Sequence, residues 1–285
     1  MSSTLILGAG GMLGTALCRE AAPEEPLMAL SRAELDIRDR RAVEERVTAA
    51  RPEAIVNCAA MTAVDACEER RDEAFAVNGE AVGHLAAAAR DCGALLVQVS
   101  TDFVFDGAQS TPYREDDTPN PLSVYGRSKL EGEHRALEWE ESLVVRTSWI
   151  FGPGGTNFVA TMARLIREDR KPLRVVADQV GCPTYSLYLA RAIWQLVGLR
   201  SKGIVHYRNR EPISWHGFAS SIAALLDDAD EVEPISSEEL ARLAPRPRYS
   251  VLDVSRFERL ARRTVEPWSA GLEEYLDRED DGNDR

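Results

Sequence analysis

The opening segment, TLILGAGGMLGTAL, limits the fold more than any other part of the chain. Thr4–Leu7 is a short apolar run that leads at once through GAGGMLG into a helix-forming stretch. Glycines at that junction permit a tight turn and let backbone N–H groups approach a pyrophosphate, which then sits at the positive end of the helix. Gly8, Gly11 and Gly14 are spaced three apart, with Gly10 as an extra glycine. An ordinary strand–helix turn would also use glycine. The position at the first strand, in the required order, favours a dinucleotide site.

Four more apolar runs read as buried strands: Leu27–Leu30, Ala54–Asn57, Leu95–Val99 and Leu143–Arg146. Helical patterns lie between them. Residues 39–50 align Ala42, Val43 and Val47, and residues 80–91 align Val82, Leu85, Ala86 and Ala89, with Gly93 as a C-terminal stop. This alternation predicts an α/β fold, a doubly wound parallel sheet of Rossmann type. After about residue 150 the rhythm loosens into helices at 157–167, 186–199 and 214–226, short strands and proline-containing loops. The expectation is a dinucleotide-binding domain over 1–150. Residues 151–285 would form mainly a smaller, partly interleaved substrate-binding lobe, with some segments returning to the core. The acidic end DREDDGNDR is expected to be a frayed, solvated tail.

Charge and cysteine usage exclude several functions. The formal net charge of -13 argues against nucleic-acid binding, which needs concentrated positive charge. An anion site must therefore come from a few chosen basic groups or backbone amides. No apolar run approaches the length of a membrane span, and the first residues lack the basic segment and cleavage site of a signal peptide. Five cysteines with no C-x-x-C pair suit free thiols in a reducing cytoplasm, and the four histidines have no ligand spacing. A cytoplasmic protein without membrane or nucleic-acid partners is expected.

The end of the second strand bears on the cofactor. Asp or Glu there suits the ribose 2′-hydroxyl of NAD, and arginine a 2′-phosphate. This chain has Ser31 and Arg32, which favours NADPH; Asp36 nearby leaves NADH possible. The fourth strand runs into Ser100, Thr101 and Asp102, at the strand end where doubly wound folds bind ligands. Downstream, Tyr125 and Lys129 are four apart on a predicted helix and share one face. A phenol, an ammonium and the Thr101 hydroxyl beside a nicotinamide would make a proton-transfer site. An ammonium about 5 Å from the phenol would favour the phenolate by roughly 3 kcal/mol, so Lys129 is expected to lower the tyrosine pKa by about two units.

These residues carry a resemblance. The chain resembles the extended short-chain dehydrogenase/reductases and, among them, the dTDP-4-dehydrorhamnose reductase family. The likeness covers nearly the whole length: GAGGMLG at 8–14, ELDI at 34–37, NCAAMTAVDACE at 57–68, STDFVFDG at 100–107 and YGRSKLEGE at 125–133. It continues in RTSWIFG at 146–152, NFVATM at 157–162, DQVGCPT at 178–184 and APRPRYSVLD at 244–253. The resemblance implies that Tyr125 protonates the sugar oxygen, Lys129 holds the ribose and Thr101 shares the hydrogen bond. It implies that Gly11, Met12, Leu13, Asp36, Ile37, Ala59, Ala60 and Met61 line the cofactor. Thr101, Asp102 and Trp149 would touch a nucleotide-sugar substrate, giving reduction of a 4-keto group. Arg246 and Arg248 are candidates for its diphosphate, against a plain role as solvated loop arginines.

Two departures stand out. Phe103 replaces a tyrosine common in the family, and YSLYLA at 185–190 lacks the carboxylates that hold magnesium at some members' dimer interface. No metal is expected, and a homodimer stays possible. The alternatives are the same chemistry on another nucleotide-bound deoxysugar, or a non-catalytic subunit resembling the regulatory partner of methionine adenosyltransferase.

Overall fold

The structure, a computed structural model, describes residues 3–226 and 232–280. Its centre is a six-stranded parallel sheet. Five strands come from the first half: β1 (Thr4–Leu7), β2 (Leu27–Leu30), β3 (Ala54–Asn57), β4 (Leu95–Thr101) and β5 (Ser142–Thr147). The sixth, Gly203–His206, comes from the second half and pairs with β5. The order across the sheet is β2-β1-β3-β4-β5 and then this last strand.

Strand side chains alternate between two buried faces, as a parallel sheet covered on both sides requires. Leu5, Leu7, Ile55, Leu96 and Val144 pack under α2 (Arg40–Ala50) and, after α3 (Val64–Glu69) and α4 (Arg71–Phe75), under α5 (Ala81–Cys92). Ile6, Val56, Val97 and Val145 face α1 (Met12–Glu20) and the helix Ser186–Gly198. That helix belongs to the second half of the sequence yet covers the sheet. Trp194 Nε1 donates to the Leu17 carbonyl at 3.0 Å, and Arg191 pairs with Glu20 at 2.5 Å.

The other helix starts have local causes. Asp39 caps α2 by accepting from Ala42 N, and Asn157 caps the helix Phe158–Arg167 by accepting from Ala160 N. Gly93, at φ +73°, ends α5. One stretch departs from simple periodicity: Ala76–Glu80 forms a π turn ahead of α5. The first four residues of the acidic end are also not frayed, because the helix Trp268–Asp280 includes them; residues 281–285 lie outside the described residues.

The sheet order reverses between β2 and β3, on either side of β1. That reversal opens a crevice beyond the carboxyl ends of β1 and β3. Short strand pairs from the second half lie beyond β4 and β5: Ile150–Phe151 with Thr184–Tyr185, and Val180–Gly181 with Ile213–Ser214.

Candidate active site

The crevice is a cavity of about 400 Å³ at the glycine turn. Of the residues expected there, Gly8, Gly11, Ser31, Arg32 and Asp36 line it, as do Ile37, Ala59, Ala60 and Met61. The glycines divide by task. A Cβ on Gly14 would lie 2.3 Å from the Gly8 carbonyl oxygen, and one on Gly8 would lie 2.7 Å from Ala59 N. These two let β1, α1 and the β3 loop pack closely. Gly10 has nothing nearer than 3.9 Å, so its missing side chain leaves open space. Gly14 and Leu13 are buried and Met12 half-buried, and none of the three lines the cavity; Leu13 joins the core under β1.

Arg32 points into solvent with its side chain 70% exposed, 3.9 Å from Glu73. Asp36 is gripped by Arg38, whose Nε and Nη2 lie 2.9 and 2.5 Å from its two oxygens. That hydrogen bonding holds the Asp36 carboxyl down at about 2.

Tyr125 stands on α6 (Val124–Leu137). Ser123 caps this helix by accepting from Gly126 N at 3.1 Å, and Glu68 accepts from Val124 N at 2.8 Å. A Cβ on Gly126 would sit 2.2 Å from the Phe103 carbonyl oxygen. Only glycine lets the first turn of α6 press against the turn that follows β4. The contact brings Tyr125 beside Thr101, whose hydroxyl acts on the phenol.

The electrostatics differ from the sequence expectation. Burial pushes the Tyr125 phenol above its ordinary value, the neighbouring Thr101 hydroxyl offsets part of this, and the Asp102 charge adds to the rise. Lys129 is engaged elsewhere. Its Nζ is buried and donates to the Val99 carbonyl at 2.6 Å, and burial pulls its pKa down to about 8. Sharing a helix face thus did not make the ammonium the dominant influence on the phenol; desolvation outweighs it. Asp102 is buried too, and burial raises it to about 6 although Thr101 donates to Oδ1 at 3.0 Å and Ser250 to Oδ2 at 2.5 Å.

A second cavity, of about 410 Å³, opens between β4 and the second half of the chain. Phe103, Trp149, Trp215 and Phe158 form its aromatic wall, and Arg174, Arg242 and Arg246 line its basic side. Trp149, at φ 44°, stacks on Trp215 with ring centroids 3.5 Å apart. One of its faces is therefore covered by a partner the sequence did not signal. Arg246 grips Asp65 with two nitrogens, at 3.2 and 2.9 Å, and Arg242 reaches the same carboxylate at 3.5 Å. Arg248 does not line this cavity; its side chain is 73% exposed and 4.0 Å from Glu238.

Thr101, Asp102, Lys129 and Tyr125 line neither cavity, but Tyr125 lies against residues of both. It packs edge-on to Phe103 of the second at 5.6 Å and shares a small apolar cluster with Met61 of the first. Among the described residues, no group of three His, Cys, Asp or Glu side chains is gathered as for a metal ion.

A family model described as the RmlD substrate binding domain matches residues 1–280. A dTDP-4-dehydrorhamnose reductase from Streptomyces griseus is 44% identical over 283 residues, covering 95% of this chain and 91% of that protein. The chain belongs to the dTDP-4-dehydrorhamnose reductase family. A dTDP-4-keto-6-deoxy-D-glucose reductase from Streptomyces niveus is also similar, at 38% identity over 94% of both chains. The crystal structure of a dTDP-4-dehydrorhamnose reductase from Bacillus anthracis in complex with NADP superposes with a TM-score of 0.93 at 38% identity. That match covers 97% of this chain and 99% of the other.

Within this family framework, several residues emerge that periodicity did not reveal. Asn78, fully buried in the π turn, bonds both the N–H and the carbonyl of Met61 and also Ser128 of α6. It ties the cavity wall to the helix that carries Tyr125. Asp65 lay inside a quoted motif, but its arginine partners are about 180 residues away in sequence. Ser250, Arg70 and Glu73 likewise meet the site only through tertiary contact.

Proposed function

We propose that this chain reduces the C4 keto group of dTDP-4-dehydro-β-L-rhamnose to give dTDP-L-rhamnose, with NADPH preferred and NADH accepted. The observation that carries the reading is the place of Tyr125, beside Thr101 and packed against Phe103 of the aromatic cavity and Met61 of the glycine-lined one. The names of the similar reductases support the sugar, and the NADP of the Bacillus anthracis structure supports the cofactor. The five unpaired thiols suit a reducing compartment.

The first cavity fits a dinucleotide by its own chemistry. Gly10 and Gly11 leave room at the turn, and α1 starts without a side-chain cap, so its N-terminal amides suit a pyrophosphate. Ser31, Arg32 and Asp36 would hold the adenosine end, and Lys129 with Tyr125 the ribose at the other end. When bound, NADPH supplies the hydride for C4. The chain supplies the proton. A buried phenol with a raised pKa keeps its proton at neutral pH and can give it to the oxygen that becomes the C4 hydroxyl. Asp102 holds Thr101 and Ser250 in place beside it. The Trp149–Trp215 wall suits the apolar face of a deoxysugar. Arg174, Arg242 and Arg246 suit its diphosphate, although Glu239 and Asp65 already balance part of their charge.

The decisive test incubates the protein with dTDP-4-dehydro-6-deoxy-L-mannose and NADPH and follows the loss of nicotinamide absorbance and the product. Stoichiometric dTDP-L-rhamnose is expected. Turnover only with a 4-keto sugar of different C5 configuration would favour a second reading, prompted by the Streptomyces niveus relative. Nicotinamide binding without turnover of any such sugar would favour a non-catalytic role.

Lys129 sets a pH limit. Its ammonium is lost as pH rises through about 8, so kcat/KM for NADPH, which reports the free enzyme, is expected to fall above that pH. Lys129→Arg should flatten this alkaline limb, because a guanidinium stays charged to beyond about pH 12. A wild-type profile that is level up to about pH 10 would contradict the assignment.

A further inference from the structure

The adenosine end of the first cavity carries a charge arrangement that the sequence did not disclose. Arg32, Arg70, Asp36 and Glu73 line it. Asp36 is already neutralised by Arg38, which grips both of its oxygens. Glu73, half-buried on α4, is left facing two guanidiniums. Its Oε1 lies 3.9 Å from Arg32 Nη2, and its Oε2 hydrogen-bonds Arg70 Nη2. Both arginines stay largely exposed, at 70% and 58% of their side chains, so each has donors to spare. One carboxylate thus sits between the two cations best placed to receive a ribose phosphate.

We propose that Glu73 sets how strongly this cavity discriminates a 2′-phosphorylated dinucleotide from one with a free 2′-hydroxyl. This deepens the cofactor assignment above and rests on it. A 2′-phosphate held by Arg32 and Arg70 would bring nearly two negative charges near the Glu73 carboxylate, and a separation of about 6 Å serves for the arithmetic. In water that repulsion weakens binding roughly tenfold, and screening over about 8 Å leaves roughly threefold. Glu73 also holds the two arginines near each other, but an exposed ion pair contributes at most about fivefold and commonly far less. Repulsion wins. A neutral 2′-hydroxyl feels no such penalty and can donate a hydrogen bond to the carboxylate. Glu73 therefore narrows the gap between the two dinucleotides and keeps the unphosphorylated one usable.

The test is calorimetric titration of the full-length protein with NADP⁺ and NAD⁺, which needs no sugar turnover. Glu73→Gln keeps the shape and removes the charge. The ratio Kd(NAD⁺)/Kd(NADP⁺) is expected to rise roughly three- to tenfold, and to rise further at low salt. A ratio that is unchanged or lower in this variant overturns the proposal. Arg32→Gln and Arg70→Gln serve as companions. If either selectively weakens NADP⁺ while Glu73→Gln moves nothing, only the role of Glu73 fails. If neither arginine matters to NADP⁺, the 2′-phosphate does not dock here, and both the role and the cofactor placement fail.

Discussion

Replacing Tyr125 by Phe is expected to cut turnover roughly 10²- to 10⁴-fold, the usual contribution of a positioned proton donor and about 3–5 kcal/mol in barrier. The hydroxyl has no ready substitute. The neighbouring Thr101 Oγ1 donates to Asp102 at 3.0 Å and accepts from Phe103 N at 3.1 Å, so its proton is already engaged. Lys129 is committed to the Val99 carbonyl. Affinity for NADPH should change little, since Lys129 keeps its hold on the ribose and the groups lining the first cavity are untouched. Steady-state kinetics with the keto sugar and a nicotinamide titration separate the two effects. Normal turnover in Tyr125→Phe would remove the phenol from the mechanism. A comparable loss of NADPH binding would make its role mainly one of holding cofactor.

Glu133→Ala is expected to destabilise the fold by about 3–5 kcal/mol, the cost of leaving a buried charge without its partner. Glu133 lies one turn beyond Lys129 on α6. Its carboxylate takes Arg146 Nε at 2.9 Å and Nη2 at 2.7 Å, and Ser100 Oγ at 2.5 Å. The side chains of the pair are only 2% and 1% exposed. Arg146 also lies 5.1 Å from the centre of the Phe105 ring, and beside it burial and the guanidinium charge push His206 down to about 3. The neutral imidazole, 3.4 Å from Arg146 Nη1, can accept a hydrogen bond but brings no negative charge, so the truncation strands the guanidinium. Removing both charges, as in Glu133→Leu with Arg146→Met, should recover most of the loss, because well-packed apolar replacements of buried pairs are often neutral. Urea unfolding of the single and double variants measures this. A single-variant loss below about 1 kcal/mol would mean that water reaches Arg146. The pair joins α6 to β4 and β5, the elements that bring Tyr125 and Thr101 together.

The non-additivity of that pair illustrates what a linear reading sees and what it misses. The face of α6 was legible because Tyr125 and Lys129 are spaced by a helical turn, and helical spacing is local. That Glu133 meets Arg146 was not legible, since nothing in a run of residues says which strand lies behind a helix. The same limit applies to pKa. Proximity suggested that Lys129 would acidify Tyr125. Burial, which depends on everything packed around the phenol, moved it the other way. Arg246 was singled out for its charge, yet its guanidinium is held by Asp65, and Trp149 was singled out without Trp215.

By itself the sequence determined the strand–glycine–helix opening, the first five strands of the sheet and the spacing of the tyrosine and lysine. Each of these follows from periodicity and backbone sterics that act over a few neighbouring residues. Only the tertiary structure decided which glycines pack and which leave space, which carboxylate faces which arginine, and how strongly each acid is desolvated. Those depend on contacts between residues up to about 180 positions apart, where Coulomb and desolvation energies are set by distance and depth rather than by order along the chain.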